Sequence, residues 1–325
     1  MITFAILGGG WRSEFYLRLA NALPEVFSVS AVYIRNAEKG ELIKNKYNVK
    51  TVTTIDELLK EEFDFLVNCT SYSYVTDISI DLADKGYYVL SETPALKEPV
   101  DGHAYEKIQV AEQYHKKGTY QAIRKILDKG LIGDVNHVNI SIGHDYHAMS
   151  MIRFFLNEYS APEKVIDLNL PDPMMVSHGR QGEFEHSLKN TSQRVIMFKF
   201  NRKTAIYDFN GEQYFSPIRR DRLLIRGTKG EIDGNIIRYF DSSGKLIEGE
   251  ITLKTAGLLE GFYNDRIVFC GETLYDFPFK HARLSEEECA IAQCLLGMKN
   301  YIETGEEFYS YQKAYEDYIF FNKSV

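Results

Sequence analysis

A short apolar run at the start of the chain leads directly into three consecutive glycines, and no other feature constrains the fold as strongly. Thr3–Leu7 predicts a buried strand, Gly8–Gly10 a tight turn, and Ser13–Ala22 has the apolar spacing of a helix. A strand, a glycine turn and a helix in this order open a parallel sheet with helical crossovers. Because no basic segment or cleavage site precedes the strand, we expect it to be the first strand of the fold.

Strand-like and helix-like stretches keep alternating up to about residue 113. Thr54 and Glu57 form a capping box, which marks one further helix start. Together these elements predict an α/β fold with a doubly wound parallel sheet. The other predicted elements of this region are strands at Ser28–Ile34, Phe63–Asn68, Tyr87–Ser91 and Lys107–Ala111 and helices at about Ala37–Lys46 and Val75–Lys85.

The pattern changes after a helix predicted at about Thr119–Lys129. Residues 135–142 and 193–253 are largely short alternating strands, and Asp241–Lys245 is a hairpin-turn signal. Ser285 and Glu288 form a second capping box, which starts a late helix. We therefore predict two domains, residues 1–118 and residues 119–325, the second an α+β domain with a large, open and mostly antiparallel sheet.

The composition narrows the possible partners. The net charge of −8 argues against a protein that binds nucleic acid or an anionic membrane. No apolar stretch approaches the length of a membrane-spanning helix. The four cysteines form no CxxC pair, so we expect reduced thiols and a cytoplasmic protein. The 22 tyrosines and 20 phenylalanines suit an open sheet face through which the chain forms a homodimer.

The glycine turn has the position of a turn that binds the pyrophosphate of a dinucleotide. Gly8 would form the tight turn, and Gly10 would let the main chain approach the phosphates. The N–H groups at Trp11, Arg12 and Ser13 would receive the negative charge at the helix start. Ser13 replaces the usual third glycine and is a candidate N-cap. A plain strand–helix turn without a ligand is the alternative.

The end of the second strand bears on which dinucleotide binds. A site for NAD has an acidic residue here that holds the ribose hydroxyls, whereas this strand ends at Arg35-Asn36. Arg35 is placed to pair with a 2′-phosphate, which favours NADP over NAD. A solvated arginine without a ligand is the alternative.

Polar side chains follow two further strands of the predicted parallel sheet. Thr70 and Ser71 close the fourth strand, and Gln113 and Tyr114 close the sixth. Because ligands bind at the carboxyl edge of such sheets, we predict that Thr70, Ser71 and Gln113 contact the cofactor. Tyr114 is a candidate proton donor, although polar residues at strand ends are also common without a ligand.

Several short motifs occur together in order along nearly the whole chain. After the glycine turn come Ser91–Pro94, Gly130–Gly133, Ile225–Ile232 and Ile302–Gly305. In this order they resemble the Gfo/Idh/MocA oxidoreductases, the family of glucose–fructose oxidoreductase and inositol dehydrogenase. The resemblance implies a Rossmann domain followed by an α/β domain with an open sheet. It also implies NAD(P)-dependent hydride transfer on sugars, polyols or related small molecules.

The resemblance also implies an active-site lysine that this chain lacks. The family has a Glu-Lys-Pro motif, whereas this sequence has Glu92-Thr93-Pro94. Threonine carries no positive charge, so the family's usual proton relay is missing at this position. Glu92 and Pro94 are expected to shape the cofactor pocket, and Lys97 is a distant candidate for a replacement.

The family's second signature contains a histidine, which corresponds to His147. Its two accompanying aspartates are replaced here by Gly143 and Ser150. A histidine beside the nicotinamide could move the substrate's hydroxyl proton, because imidazole titrates near neutral pH. We therefore predict His147, and secondarily His144, as catalytic. A histidine that is merely satisfied at a strand–helix junction is the alternative.

The two histidines also form an HxxH pair, which raises the question of a metal. His178, Glu183 and His186 are candidates for a third ligand, but none is a clear partner of the pair, so we predict no metal. The sequence thus favours an NAD(P)-dependent oxidoreductase acting on CH–OH groups. Because the lysine is absent, a non-catalytic sensor of a nicotinamide cofactor or a sugar is the alternative.

Overall fold

The computed structural model describes residues 1–179, 184–257, 259 and 261–322. The chain forms two compact units. The first contains residues 1–118, 255–265 and 277–316, and the second contains residues 119–254, 266–276 and the segment from 317 onward. The chain leaves the first unit at Gly118, where the sequence suggested a boundary, and later returns to it twice.

The first unit is built on a six-stranded sheet in the order β3-β2-β1-β4-β5-β6, and every neighbouring pair is parallel. This arrangement confirms the predicted doubly wound parallel sheet. Its core includes Phe4 of β1 and Phe65 of β4, whose rings stack with centroids 6.0 Å apart. The elements in chain order are β1 (Ile2–Leu7), α1 (Trp11–Ala22), β2 (Phe27–Tyr33), α2 (Ala37–Tyr47), β3 (Thr51–Val52), α3 (Ile55–Leu58), β4 (Phe65–Asn68), α4 (Tyr72–Asp84), β5 (Val89–Ser91) and β6 (Ile108–Val110).

The outer edge of β6 is covered by a late segment of the same unit. Val110 N–H donates to the Tyr309 carbonyl at 2.8 Å, and Gln109 pairs with Ser310 in an antiparallel bridge. The buried Gln109 Oε1 accepts from the backbone N–H groups of Phe308 and Tyr309 at 3.1 and 3.0 Å. These bonds satisfy edge groups that would otherwise be open to pairing with another chain.

The second unit is built on an eight-stranded sheet in the order β16-β15-β14-β13-β7-β12-β11-β8. All of its pairs are antiparallel except β7 with β12, so the sheet is mostly antiparallel, as predicted. Helix α6 packs on the central strand β7, and β9 and β10 form a separate hairpin. The elements in chain order are α5 (Gly118–Asp128), β7 (Val135–Ser141), α6 (Tyr146–Leu156), β8 (Lys164–Pro171), β9 (Met174–His178), β10 (Phe184–Lys189), β11 (Ser192–Lys199), β12 (Thr204–Asn210), β13 (Arg222–Gly227), β14 (Gly230–Asp233), β15 (Ile236–Phe240) and β16 (Leu246–Glu250).

The remaining elements follow local sequence signals closely. The β15–β16 turn is held by Asp241, whose carboxylate accepts from Ser243 N–H at 2.8 Å and Lys245 N–H at 3.0 Å. The Ser285–Glu288 capping box is formed at the start of α7. Among the described residues, no helix is both long and apolar enough to cross a bilayer. The remaining elements are β17 (Thr252–Ala256), β18 (Tyr263–Phe269), β19 (Glu272–Asp276), α7 (Glu286–Thr304) and α8 (Tyr311–Asn322).

Candidate functional site

The glycine turn joins β1 to α1 in the first unit, and its first glycine cannot be replaced without strain. Gly8 has φ +109°, and a Cβ there would lie 2.6 Å from the carbonyl oxygen of Cys69 at the end of β4. The ends of β1 and β4 therefore approach each other more closely than a side chain permits. This geometry agrees with the tight-turn role predicted for Gly8.

Gly10 differs from Gly8 because it needs no special backbone conformation. Its φ is −82°, and nothing lies within 4 Å of the position that a Cβ would take. Gly10 is the N-cap residue of α1 and has no side chain to cap the helix. The first N–H groups of α1 therefore face a space that a side chain at position 10 would partly fill.

The prediction that Ser13 is the N-cap of α1 is wrong. The helix begins at Trp11, so Ser13 lies within its first turn. The fully buried Ser13 hydroxyl donates to the Gly8 carbonyl at 2.8 Å, across the turn. The small side chain thus permits close packing at the third glycine position, which is the other role expected of it.

Arg12 is held by acidic side chains of its own unit. Its Nε lies 3.2 Å from Glu92 Oε2, and Nη1 lies 4.0 Å from Glu287 Oε1. The guanidinium also lies 4.7 Å from the ring centroid of Trp11, which is 44% exposed. Burial by itself lowers the pKa of Arg12, but the neighbouring Glu92 and Glu287 carboxylates outweigh it and raise the pKa. The charge of Arg12 is therefore largely compensated within the protein.

Glu92 lies in a buried cluster at the end of β5. Besides the Arg12 ion pair, its Oε1 accepts from the Tyr16 hydroxyl at 2.6 Å. The Thr93–Pro94 peptide bond is cis, and the Pro94 carbonyl accepts from the Thr76 hydroxyl at 3.2 Å. These contacts fit the shaping role expected of Glu92 and Pro94.

Lys97, the candidate replacement for a lysine at position 93, pairs with an acidic side chain of α4. Its Nζ lies 2.5 Å from Asp77 Oδ1 of α4, and its side chain is 60% exposed. Thr93 carries no positive charge at the end of β5, and the charge of Lys97 is paired with Asp77.

The other predicted cofactor residues differ in how firmly they are fixed. Thr70 is anchored, because its N–H and hydroxyl both donate to Asn68 Oδ1 at 3.1 and 2.7 Å. Ser71 is exposed at the start of α4 and makes no side-chain cap. Arg35 is exposed beyond β2, next to Asn36, whose side chain caps α2.

Gln113 and Tyr114 lie on a short 3₁₀ turn, Gln113–Lys116, just after β6. Gln113 Nε2 donates to Glu287 Oε1 at 2.8 Å, and Lys117 Nζ lies 2.7 Å from Glu287 Oε2. Tyr114 is buried, with Lys117 Nζ 4.5 Å from its ring centroid. The sequence analysis missed Glu287 and Lys117, since no local signal relates α7 to β6.

These features share one edge because the strands are parallel. β1, β4, β5 and β6 all run in the same direction, so Gly8, Thr70, Glu92 and Gln113 follow strands that end on the same side of the sheet. The order 3-2-1-4-5-6 reverses between β1 and β4, and dinucleotides bind outside the carboxyl ends of the strands at that point.

The second unit brings the two predicted catalytic histidines together at the junction of β7 and α6. The rings of His144 and His147 meet edge to face, with centroids 5.5 Å apart. His147 N–H donates to the His144 carbonyl at 3.2 Å. Tyr214, which the sequence analysis missed, places its ring 5.4 Å from that of His144. His147 is buried in α6, whereas His144 is partly exposed.

Ser150, at one of the two positions where an aspartate was expected, and the following Arg153 have structural contacts. The Ser150 hydroxyl donates to the His147 carbonyl at 2.9 Å. Arg153 Nη1 lies 2.7 Å from Asp317 Oδ1, and both side chains are only 3% exposed. Arg153 therefore forms a buried ion pair within the second unit.

Among the described residues, no group of three or more His, Cys, Asp or Glu side chains is arranged to hold a metal. His186 is exposed and stacks on Phe184 with centroids 6.1 Å apart. Glu183 and the side chain of His178 lie outside the described part of the structure.

The comparison with protein families identifies the first part of the chain. Residues 2–122 match the model of an oxidoreductase family with an NAD-binding Rossmann fold. The matching model is that of the Gfo/Idh/MocA family. The expected Gfo/Idh/MocA resemblance is thereby confirmed, and with it a nicotinamide-dinucleotide fold. No curated protein matches the chain.

Solved structures share the fold over almost the whole chain. An oxidoreductase from Agrobacterium radiobacter, in complex with NAD⁺, L-tartaric acid and magnesium, has a TM-score of 0.66 at 14% identity and covers 98% of this chain and 94% of its own. A levoglucosan dehydrogenase in complex with NADH and levoglucosan has 0.66 at 14%, covering 98% and 95%. A putative myo-inositol dehydrogenase from Sinorhizobium meliloti 1021 has 0.60 at 16%, covering 98% and 95%. At these identities the likeness concerns the fold.

Proposed function

We propose that the protein is an NAD(P)-dependent oxidoreductase that transfers a hydride between the nicotinamide and a small hydroxylated or carbonyl substrate, such as a sugar or polyol. The observation that carries the proposal is the turn from β1 to α1. Gly8 closes a turn that no side chain fits, and Gly10 leaves the start of α1 open. A phosphate group needs both properties, because it is bound by main-chain N–H groups at a helix start.

The cofactor, when bound, accepts or supplies the hydride. The chain's own part begins with the N–H groups of the first turn of α1, which bind the pyrophosphate. The nicotinamide end of the cofactor is oriented by Thr70 and Ser71, which follow β4, and by Gln113, which follows β6. Trp11, Arg12, Glu92 and Pro94 shape the binding edge, and Arg12 contributes no uncompensated charge there.

The second unit supplies the proton carrier. His147 takes the proton from the substrate hydroxyl oxygen during oxidation and returns it during reduction. His144, in edge-to-face contact with His147, supports this step or replaces it. Tyr114 is the alternative proton donor in the first unit. A reducing, cytoplasmic setting suits the four free cysteines.

Arg35 supports a preference for NADP over NAD. It is exposed beyond β2, where a 2′-phosphate would lie, and no acidic residue occupies the Arg35-Asn36 tip. Two of the similar solved structures are complexes with NAD⁺ or NADH, which supports a nicotinamide cofactor without supporting this preference. Arg35→Ala should therefore weaken NADPH binding and leave NADH binding nearly unchanged.

Trp11 gives a direct test of cofactor binding, because it is the single tryptophan and lies in the first turn of α1. We expect NADPH or NADH to quench its emission, with energy transfer to the reduced nicotinamide. No response to either cofactor, with no heat of binding by calorimetry, would remove the proposed function.

Turnover separates an enzyme from a sensor. The nicotinamide absorbance should change with at least one member of a panel of sugars, polyols and dihydrodiols. His147→Ala should abolish that change and keep cofactor affinity, while the exposed His186→Ala serves as the matched control. A protein that binds cofactor and turns over no panel member would favour the sensor. Normal turnover by His147→Ala would refute the role of His147.

The open face of the large sheet supports a homodimer. Ile166, Leu168 and Leu170 on the edge strand β8 are 41–50% exposed, and Met197 lies opposite Ile166 on β11. At the other end, an ion-pair ladder of alternating sign runs across four strands, through Arg226, Glu231, Arg238 and Glu248. In a dimer with a two-fold axis, the apolar residues of one copy can pair with their equivalents in the other copy, and so can the ion-pair ladder.

Sedimentation at several concentrations tests the dimer. We expect the wild-type chain to sediment as a dimer and Leu168→Glu as a monomer. Leu42→Glu, at a 70% exposed position of α2, is the matched control and should leave the dimer intact. A wild-type chain that is monomeric at every concentration would contradict this part of the proposal.

A further inference from the structure

The backbone of Asp145, between the two histidines, has a conformation that ordinary helix ends do not use. Its φ is 50° and its ψ is −121°. Asn48, Asn157 and Arg283 also have positive φ, but their ψ values of 46°, 54° and 36° are those of the ordinary left-handed region. Asp145 is therefore strained, and such a conformation persists only where its surroundings impose it.

Arg194 of β11 is the main side chain that holds Asp145. Its Nη1 lies 3.5 Å from Asp145 Oδ1, and its Nη2 lies 2.7 Å from Asp167 Oδ2 of β8. The guanidinium lies 4.7 Å from the ring centroid of Phe321, which limits its rotation. Asp167 and Phe321 thus fix the direction of Arg194, and Arg194 in turn ties the β7–α6 junction to the sheet.

Tyr207 of β12 also interacts with the junction of β7 and α6. Its pKa is raised because the hydroxyl is buried and lies near the Asp145 carboxylate, and a hydrogen bond with the Asp145 backbone opposes this rise. Both the side chain and the main chain of Asp145 are therefore bound to neighbouring strands of one sheet. This pair of contacts accounts for a conformation that the local sequence does not favour.

The direction in which the histidines leave the junction depends on this residue. The Asp145 carbonyl accepts from Ala148 N–H at 3.1 Å and from Met149 N–H at 3.3 Å, so Asp145 starts α6. A change in its backbone would rotate His144 relative to His147. Strain of this kind is concentrated at functional sites, where it fixes reacting groups in advance.

We propose that Arg194 is a positioning residue, which acts through Asp145 to hold His144 and His147 in their edge-to-face arrangement. This inference rests on the proposed function for its catalytic consequence, although the arrangement of the imidazoles does not depend on turnover. Arg194 acts through the Asp145 carboxylate.

Arg194→Gln tests the proposal, with Lys199→Met as the matched control. Lys199 lies on the same strand and forms an exposed ion pair with Glu163 at 2.6 Å. In Arg194→Gln we expect the imidazole NMR signals of His144 and His147 to shift, and the other histidine signals to stay in place. In Lys199→Met none of these signals should move. Unchanged His144 and His147 signals in Arg194→Gln would overturn the inference even if the protein proves to have no activity.

Kinetics give the second measurement, once a substrate is found. We expect Arg194→Gln to lower kcat by about tenfold or more, because displaced reacting groups lose that much rate, with KM and cofactor affinity changed far less. Arg194→Lys should recover part of kcat. A rise in KM with kcat unchanged would overturn the positioning role, because it would make Arg194 a substrate-binding residue.

Asp145→Gly tests whether the strained backbone of Asp145 serves activity rather than stability. Glycine adopts this backbone freely, so the variant should be as stable as the wild type or more stable, while kcat falls. A stable Asp145→Gly protein with full kcat would contradict the inference. If the wild type neither binds a cofactor nor turns over a substrate, the proposed function fails. The NMR comparison still tests whether Arg194 positions the two histidines.

Discussion

The Nε of Arg12 lies 3.2 Å from Oε2 of Glu92, which joins the second residue of α1 to the residue that follows β5. The side chains of both are mostly buried, 15% and 9% exposed. The pair therefore links the glycine turn to the Glu92-Thr93-Pro94 stretch. This link is structural, and each of its two buried charges is stabilised by the other.

Arg12→Met should destabilise the protein by about 3 kcal/mol, because among the described residues it leaves the buried Glu92 carboxylate with the Tyr16 hydroxyl as its one close partner. Urea denaturation measures this loss. The double variant Arg12→Met/Glu92→Gln should recover part of it, since the unpaired charge is gone.

Arg18→Met is the control for this prediction. Arg18 lies on the same helix and pairs with Glu288 at 3.5 Å, but its side chain is 43% exposed. The expected loss is below about 1 kcal/mol. Equal losses for Arg12→Met and Arg18→Met would show that burial of the Arg12 pair does not matter.

Gly8→Ala and Gly10→Ala should separate folding from cofactor binding. Alanine at position 8 meets the Cys69 carbonyl and a positive φ, so the variant should lose several kcal/mol of stability, of the order of 3 kcal/mol. Alanine at position 10 meets nothing, so its stability should stay within about 1 kcal/mol of the wild type while it binds NADPH or NADH at least about tenfold more weakly. Thermal unfolding and the Trp11 titration measure the two effects. Unimpaired cofactor binding by Gly10→Ala would argue against a phosphate at this turn.

Asp172 should make the second unit sensitive to acid. Hydrogen bonds from Arg219 and Asn210 lower the pKa of Asp172 from 3.8 to about 2. Because the folded-state pKa is the lower one, the stabilisation is present above pH 4 and is lost as the pH falls towards 2. Asp172→Asn should lose about 1 kcal/mol at pH 7 after screening by solvent, and its stability should depend less on pH between 5 and 2. Parallel pH curves for the two proteins would refute the assignment.

Arg153→Met should be among the more damaging changes in the second unit. It strips the buried Asp317 of the guanidinium 2.7 Å away, and the expected loss is about 3 kcal/mol. Arg222→Met, which breaks a pair with Asp208 where the arginine is 67% exposed, should cost less than about 1 kcal/mol. Chemical denaturation of the two variants side by side checks the difference.

Local signals carried most of the fold prediction. The Thr54–Glu57 and Ser285–Glu288 capping boxes are formed, and the Asp241 turn joins two strands as expected. The alternation of strand-like and helix-like stretches up to about residue 113 was enough to predict the parallel sheet, because each of these signals depends on neighbours in sequence. The one parallel pair in the large sheet, β7 with β12, was not predicted, since strand pairing depends on contacts between residues far apart in sequence.

The site was less accessible from sequence for the same reason. Ser13 looked like an N-cap because serine favours that position, but the helix starts two residues earlier and the hydroxyl bonds across the turn instead. Glu287 reaches Gln113 from 174 residues away, and Arg194 reaches Asp145 from 49. Without the fold, the sequence does not show which of its many charged residues is the partner of Gln113 or of Asp145.

The segment that covers the edge of β6 has a consequence for synthesis. Tyr309 lies 200 residues after Gln109, whose buried amide it satisfies. A nascent chain that already contains all six strands of the first sheet therefore still carries an open edge, and this edge stays exposed while residues 119–254 and 266–276 of the second unit are translated. We expect ribosome-bound chains that stop before residue 308 to rely on chaperones and to pair wrongly with one another. The edge of the first sheet is therefore covered only after most of the second unit has been made.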